Sequence, residues 1–335
     1  AAPVLQALLA RAHIQASDVN AVVIGNALGA GGNPARMLAL HAGLPETCCA
    51  LTVDSQCCAG LDAVAVGLGL IASGQAEVVV AGGVEAWSRS PIRLHRPLHA
   101  NEEAVAYERP AFAPTPDKDP DMLQSAAHYA AANGYSRAAQ ESYAIQSHQR
   151  ALMHQTQMAA EIVPVVGVKH DVYPRPLDPA RAARMPAVTG TLTALTISPQ
   201  ADGAALVLLA SPQAAARLHM RPKAAWVAHA SVGSAPEFPL LAAELAARTA
   251  LQRSQLSDAN AMRFVELHDA FAVQGLSFSE RLGLSPERVN PMGGGLARGH
   301  PIGASAAIAL VRLLADLEHH PTSGAYGLTA VAGAG

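Results

Sequence analysis

The chain has 335 residues, of which 50% are hydrophobic and 15% charged, with a formal net charge of −3. That is enough chain for two domains with real cores and too little charge for a disordered one. Lys plus Arg (23) falls short of Asp plus Glu (26), no basic block appears, and the longest apolar runs are shorter than the roughly 20 residues of a membrane span, so neither nucleic acid nor membrane is an expected partner.

In chain order, residues 19–28 (VNAVVIGNAL) form a β-branched run that predicts a buried strand. Residues 50–54 predict a second strand, which runs through small residues into a helix over 60–73, and 77–81 (EVVVA) predict a third. Strand, helix, strand at this rhythm predicts parallel βαβ units with both sheet faces covered. From 89 to 198 Pro, His and charged residues rise, and only helices over 122–133 and 136–156 stand out, with Gly134 suited to a C-cap and Ser136 to an N-cap. This span reads as an inserted, partly irregular lid. Strand texture returns at 204–210, and the remainder repeats the scheme: strand 225–232, helix 240–251, strand 263–267, helix 303–317, strand 326–332. Two αβ halves of similar order predict an internal duplication, with a site between them at strand ends and helix starts. The expected divisions are 1–88 for the first part of the N-terminal half, 89–198 for the lid, 199–218 for the last strand of that half, and 219–335 for the C-terminal half.

The four cysteines stand as two adjacent pairs, Cys48-Cys49 and Cys57-Cys58. That spacing fits neither a disulfide framework nor a zinc site, so no metal is expected and a reducing compartment, the cytoplasm, is the simpler reading. No leader is visible ahead of the first helix. Cys57 stands where a strand enters a helix, and free backbone N–H groups at such a helix start favour a thiolate and can bind an oxyanion. Two small buried cysteines at a tight strand–helix contact account for this segment equally well.

Residues 290–305 (NPMGGGLARGHPIGAS) are rich in glycine, which permits positive φ and close backbone approach, with His300 placed just before Pro301 and the next helix. The loop lacks the lysine of a P-loop and the dinucleotide spacing. His300 there is a general base or a structural histidine. In residues 266–272 (ELHDAFA), His268 and Asp269 are either the polar end of a strand with an N-cap or part of a site. One cysteine and two histidines at three strand ends form the set that nucleophilic acyl transfer requires.

Together these loops resemble the thiolase family. VDSQCCAGLDAV resembles its nucleophile loop, AEVVVAGGVEAWSRSP the strand and turn that follow, GTLTALTISPQADGAA the stretch leading to the fifth strand, ELHDAFA its Asn-Glu-Ala-Phe loop, and GGGLARGHPIGAS its Gly-His-Pro loop. The blocks run in order along essentially the whole chain. The resemblance implies an α/β thiolase-like fold: two duplicated βαβαβ halves stacked as a five-layer α-β-α-β-α sandwich, with an inserted loop domain over the pantetheine arm of coenzyme A. It implies that Cys57 is the acylated nucleophile and that His300 activates the thiol and helps hold the thioester oxygen. It also implies that the backbone N–H groups of Cys57 and Ala334 form an oxyanion hole. Ser198 falls at a position that touches coenzyme A, with Met122, Ala270 and Phe271 along the acyl pocket. Coenzyme A is then substrate or product, no cofactor is tightly bound, acyl-CoA thioesters are the partners, and a homodimer or homotetramer built beside the 50–54 strand is expected.

The sequence departs from that pattern in three ways. Thiolases carry a second cysteine in the last glycine-rich loop, where this chain has Ala332; one branch takes it from a His-Asp-Cys-Phe loop, where this chain has Ala270. That cysteine moves the proton on the nucleophilic substrate carbon, so reversible Claisen chemistry loses its usual acid/base. His268 stands where most thiolases have Asn, and Cys57, His268 and His300 then resemble the Cys-His-His set of decarboxylating ketoacyl synthases, which need no second thiol. Cys58, one residue along a helix from Cys57, points about 100° away and is a poor substitute. Relative to the family pattern, the sequence also begins after the usual first strand and stops inside the last glycine-rich loop, so further strands are expected outside it. Three functions stay open on this reading: a thiolase-like acyltransferase, a decarboxylative condensing enzyme, and a catalytically weak acyl-CoA-binding subunit.

Overall fold

The computed structural model describes residues 1–29, 31–256, 258–322 and 324–333. In the N-terminal half, β1 (Ala21–Gly25), β2 (Cys49–Val53), β3 (Val78–Ala86) and β4 (Asp202–Ala210) form one sheet in the order β2-β1-β3-β4. The first three run parallel and β4 antiparallel. All of β1 and the first six residues of β3 are buried without alternation, as strands covered on both faces should be. On one face lie α1 (Ala2–Ala12) and α2 (Pro34–His41), whose Leu5, Leu9 and Leu38 meet Val22, Ile24, Val78 and Val80. On the other lies α3 (Ala59–Ala72), whose Leu61 and Val64 meet Val23, Val79 and Ala81. The strand expected over 19–28 stops at Gly25 because the N–H groups of Ala27 and Leu28 donate to the Glu85 carboxylate and not to a neighbouring strand.

The span between β3 and β4 carries α4 (Met122–Ala132) and α5 (Arg137–Met153), with two small hairpins. Ser136 caps α5 by accepting from Ala139 N–H, and Gly134 takes φ 73, both as the sequence predicts. The C-terminal half holds α6 (Ala242–Arg253), β5 (Met262–His268), α7 (Ala272–Leu282), α8 (Ile302–His319) and β6 (Tyr326–Val331). β5 and β6 pair in parallel, and Val289 makes a single bridge to Val265. α6 and α7 cover this sheet through Ala247, Leu251, Phe278 and Leu282. α8 lies beside α3 between the two sheets, with Ala306 and Leu310 against Leu61 and Val64. The layers therefore read helix, sheet, helix pair, sheet, helix.

One predicted strand is absent. Residues 225–232 have no regular secondary structure, although Trp226 and Val227 line the same broad cavity as Leu209 of β4 and Leu328 of β6. Among the described residues none of this segment pairs with β4 or β6, so the run is not drawn into a ladder. No described helix is long and apolar enough to cross a membrane.

The two central helices approach closely. A Cβ on Gly60 would lie 2.9 Å from Ala307 N and one on Gly83 only 1.9 Å from Gly303 O, so both positions require glycine. This contact brings the starts of α3 and α8, and the loops that precede them, to one place.

Candidate active site

β2 runs out at Val53 into a tight 3₁₀ turn, Gln56–Cys58, ahead of α3. Cys57 therefore stands just before the helix and not in its first turn. Gln56 holds φ 54, a left-handed conformation uncommon for a residue with a side chain. Asp54 Oδ1 fixes it by accepting from Gln56 N at 3.0 Å and Nε2 at 3.1 Å. The turn presents Cys57 Sγ at 3.1 Å from His300 Nε2.

His300 is fixed from all sides. Its N–H donates to Pro199 O at 2.7 Å and its carbonyl accepts from Trp87 Nε1 at 2.9 Å. Its Nδ1 lies 2.6 Å from Ser305 Oγ, and that hydroxyl lies 3.0 Å from Pro301 O. A serine has one proton to give. Donated to Pro301 O, it leaves Oγ to accept from Nδ1–H, so Nε2 turns a bare lone pair toward the thiol. Burial pushes the His300 imidazole down to about 4, which keeps it in this neutral, basic form at pH 7.

His268, at the end of β5, stacks on His300 with ring centroids 4.3 Å apart and 29° between planes. Burial first, then the neighbouring His300 and Arg298, holds its imidazole well below the usual value. Its Nε2 is buried without a hydrogen-bond partner, a costly state unless a ligand completes it. Asp269 is not a helix cap: the residue preceding α7 is Phe271, which makes no side-chain cap bond. Instead Asp269 accepts from Gly295 N–H at 2.5 Å and from Tyr143 Oη–H at 3.0 Å, tying the glycine-rich loop and α5 to the end of β5. Burial raises its carboxyl to about 6, against the pull of those bonds.

Two family models match the chain: thiolase, N-terminal domain, over residues 1–213, and thiolase, C-terminal domain, over 220–335. The chain belongs to the thiolase family. Among similar proteins, YhfS of Bacillus subtilis, provisionally named an acetyl-CoA C-acetyltransferase, is 35% identical over 329 residues, covering 96% of this chain and 85% of its own length. VraB of Staphylococcus aureus strain COL, with the same provisional name, is 34% identical, covering 89% of this chain and 81% of its own. The crystal structure of the Bacillus anthracis acetyl-CoA acetyltransferase superposes with a TM-score of 0.89 at 28% identity, over 98% of this chain and 88% of that one.

In this thiolase Met122, Ala270 and Phe271 share one apolar cluster with Ile197 and Leu240, beside the loop that carries His268. Ser198 sits next to them, but its hydroxyl donates to Gly295 O at 2.6 Å and its N–H to Ala270 O at 2.8 Å, so it braces the loop. Ala334 lies outside the described residues. Its neighbour Gly333 faces the nucleophile turn, where a Cβ would lie 3.3 Å from Cys57 N and 3.1 Å from Cys58 Sγ. Ala332 packs with Leu328 and Ala330 in the C-terminal core. Burial, then Asp62, pushes the Cys58 thiol up to about 12, which disfavours it in the acid/base place of the second thiol. Among the described residues no group of three His, Cys, Asp or Glu could hold a metal ion.

The supporting side chains were missed from sequence. Ser305 and Trp87 carry only weak signals: a hydroxyl early in an apolar helix, and one of two tryptophans in 335 residues. Tyr143 and Asp269 act across 126 positions of chain, a contact that no local pattern encodes.

Proposed function

We propose that this thiolase is an acyltransferase working through an acyl-cysteine, of the acetyl-CoA acetyltransferase or 3-ketoacyl-CoA thiolase type. The observation that carries the reading is the 3.1 Å approach of Cys57 Sγ to a His300 Nε2 whose lone pair is aimed by Ser305. His300 takes the thiol proton as sulfur attacks the thioester carbonyl. The carbon–sulfur bond to coenzyme A then breaks, and the departing thiolate takes the proton back from His300. In the thiolysis direction the sulfur adds to the 3-keto carbonyl of a 3-ketoacyl-CoA, the C2–C3 bond breaks, and the departing C2 takes the proton from His300 and leaves as acetyl-CoA. The acyl group then passes from Cys57 to the sulfur of an incoming coenzyme A, whose thiol proton returns through His300 to the released Cys57. The unpartnered His268 Nε2 supports a role for His268 and His300 at the thioester oxygen, and the N–H groups of Cys57 and Ala334 are assigned to the second oxyanion site. Coenzyme A is substrate and product, with the lid of residues 89–198 over its pantetheine arm, Ser198 near that arm, and Met122, Ala270 and Phe271 beside the acyl group. The expected assembly is a homodimer or homotetramer.

A second reading, decarboxylative condensation, is favoured by the stacked His268–His300 pair together with Ala332 and Ala270 in the places of the second cysteine. Loss of CO₂ generates the carbanion without a base for a C–H proton. The experiment is intact-mass analysis after mixing with acetyl-CoA, followed by assays of acetoacetyl-CoA thiolysis and of CO₂ release from malonyl-CoA. An acetyl adduct on Cys57 is the expected result, and its absence overturns both enzymatic readings. Tight acyl-CoA binding without an adduct, unchanged in Cys57→Ala, points to a binding subunit.

A further inference from the structure

Glu266 and His268 lie two residues apart on β5, and Arg298 and His300 lie two residues apart on the loop that faces it. Side chains two apart on a strand share a face. The Glu266–Arg298 contact thus sits one step behind the stacked imidazoles. Both side chains are withdrawn from water, at 0% and 7% exposure. Arg298 Nη1 donates to Gly293 O at 2.5 Å, and Nη2 lies 3.5 Å from Glu266 Oε2. One guanidinium thereby closes the glycine-rich loop on itself and fastens it to β5.

Asp269 and Ser147 accept from the N–H groups of Gly295 and Gly294, and Ser198 donates to Gly295 O, so Arg298 adds a tie from the C-terminal end of the same turn, next to His300. Gly293 and Gly299 take φ of 84 and 97, and the helical turn between them, Gly295–Arg298, is four residues long. Behind Arg298 lies a second buried cation, Arg312, bonded to Glu161 and, at 2.5 Å, to Asp316 Oδ1. Burial raises the carboxyls of Glu266 and Asp316, against the pull of the two guanidiniums.

We propose that Arg298 is a positioning residue: its guanidinium locks the loop bearing His300 against the strand bearing His268, and so holds the imidazole in reach of Cys57. The inference rests on Cys57 and His300 being the reacting pair of the function proposed above. The charged and titratable groups facing the imidazoles are Cys57 from the turn before α3, Arg298 from the loop, and Asp269 from the end of β5, with Glu266 behind and Tyr143 of α5 on Asp269. Arg298 is the cation nearest this set that acts on His268, and it opposes a charge there. An arginine fork reaches two acceptors at fixed geometry, which a lysine cannot do.

The test is the rate of iodoacetamide alkylation at Cys57, located by peptide mass, in the wild-type chain, Arg298→Met and Arg298→Lys, with circular dichroism to establish folding. At pH 7 the expected rate falls about tenfold in Arg298→Met and about threefold in Arg298→Lys, the conservative variant recovering part of the loss. A folded Arg298→Met chain alkylated within twofold of the wild-type rate overturns the proposal. If that chain does not fold, a wild-type rate in Arg298→Lys overturns it. Alkylation needs no acyl-CoA, so an unacylated wild-type chain that still shows this order of rates refutes the proposed function and leaves the positioning role standing.

Discussion

The first sheet sets β1 and β3 inside a four-stranded ladder and buries Val22, Val23, Ile24, Val79 and Val80, with Glu85 as the charged group drawn in beside them. The C-terminal half pairs only β5 with β6 as named strands, and it buries Glu266, His268, Asp269, Arg312 and Asp316. Aliphatic burial is non-directional and tolerates small shifts, whereas buried polar groups stabilise only when every partner is in place. The N-terminal half is thus a robust mount for one sulfur atom. The C-terminal half holds the two imidazoles by contacts that fail when any member is removed.

The comparison breaks first at the sulfur. Cys57→Ser is expected to lower acylation by acetyl-CoA by on the order of 10³-fold or more with an unchanged melting temperature; a serine variant acylated at a comparable rate would place the nucleophile elsewhere. His300→Gln is expected to lower the same rate by about 10²- to 10⁴-fold, measured as the pre-steady-state appearance of adduct mass.

On the scaffold side, Leu5 is fully buried in α1. Leu5→Ala should cost about 3 kcal/mol in urea unfolding while the folded fraction keeps its acylation rate. A loss of rate without loss of stability would erase the division of labour between the halves.

The C-terminal half also predicts the pH response. His300 is held near 4 when folded, against 6.5 unfolded, so the unfolded chain binds protons first as pH falls. This contribution is whole above about pH 6.5 and declines toward pH 4, by about 3 kcal/mol for a shift of this size. Glu266 works in the opposite direction. Its folded value is raised from 4.5 to about 8, so its contribution is whole below 4.5 and lost as pH rises through 8. Between pH 4.5 and 6.5 the two slopes oppose each other, so the melting temperature should be nearly level there and fall from pH 6.5 to 8. The His300 part is isolated by His300→Gln, whose deficit against the wild-type chain should grow as pH rises from 4 to 6.5, and a constant deficit contradicts the neutral His300. The smallest effect belongs to Arg217, half-exposed and paired with Glu77 on the surface. Arg217→Ala should change stability by less than about 1 kcal/mol.

Much of this architecture was legible because buried strands and helix starts have local signatures. The runs at Val78–Ala86 and Asp202–Ala210, the caps at Ser136 and Gly134, and the three loops carrying Cys57, His268 and His300 all follow from composition within a few residues. The strand expected at 225–232 failed for the complementary reason: an apolar alternating run becomes a strand only beside a partner edge, and that lies in another part of the chain. Asp269 looked like a cap because His-Asp before a helix usually is one; its loop-bracing role depends on Tyr143 and Gly295. Ser198 was assigned to coenzyme A from its place in a motif, and the fold shows what its hydroxyl also holds. The Glu266–Arg298 contact was invisible for lack of any pattern linking positions 32 apart.

Cys57 sits two residues ahead of α3 and His300 two ahead of α8, and these helices touch where Gly60 leaves no space for a methyl group beside Ala307. The reach from sulfur to nitrogen is in this sense a spacing between helix axes, calibrated at a contact one to two turns along each helix from the reacting side chains. A shim of one carbon at position 60 would stretch the 3.1 Å gap without altering either reacting group.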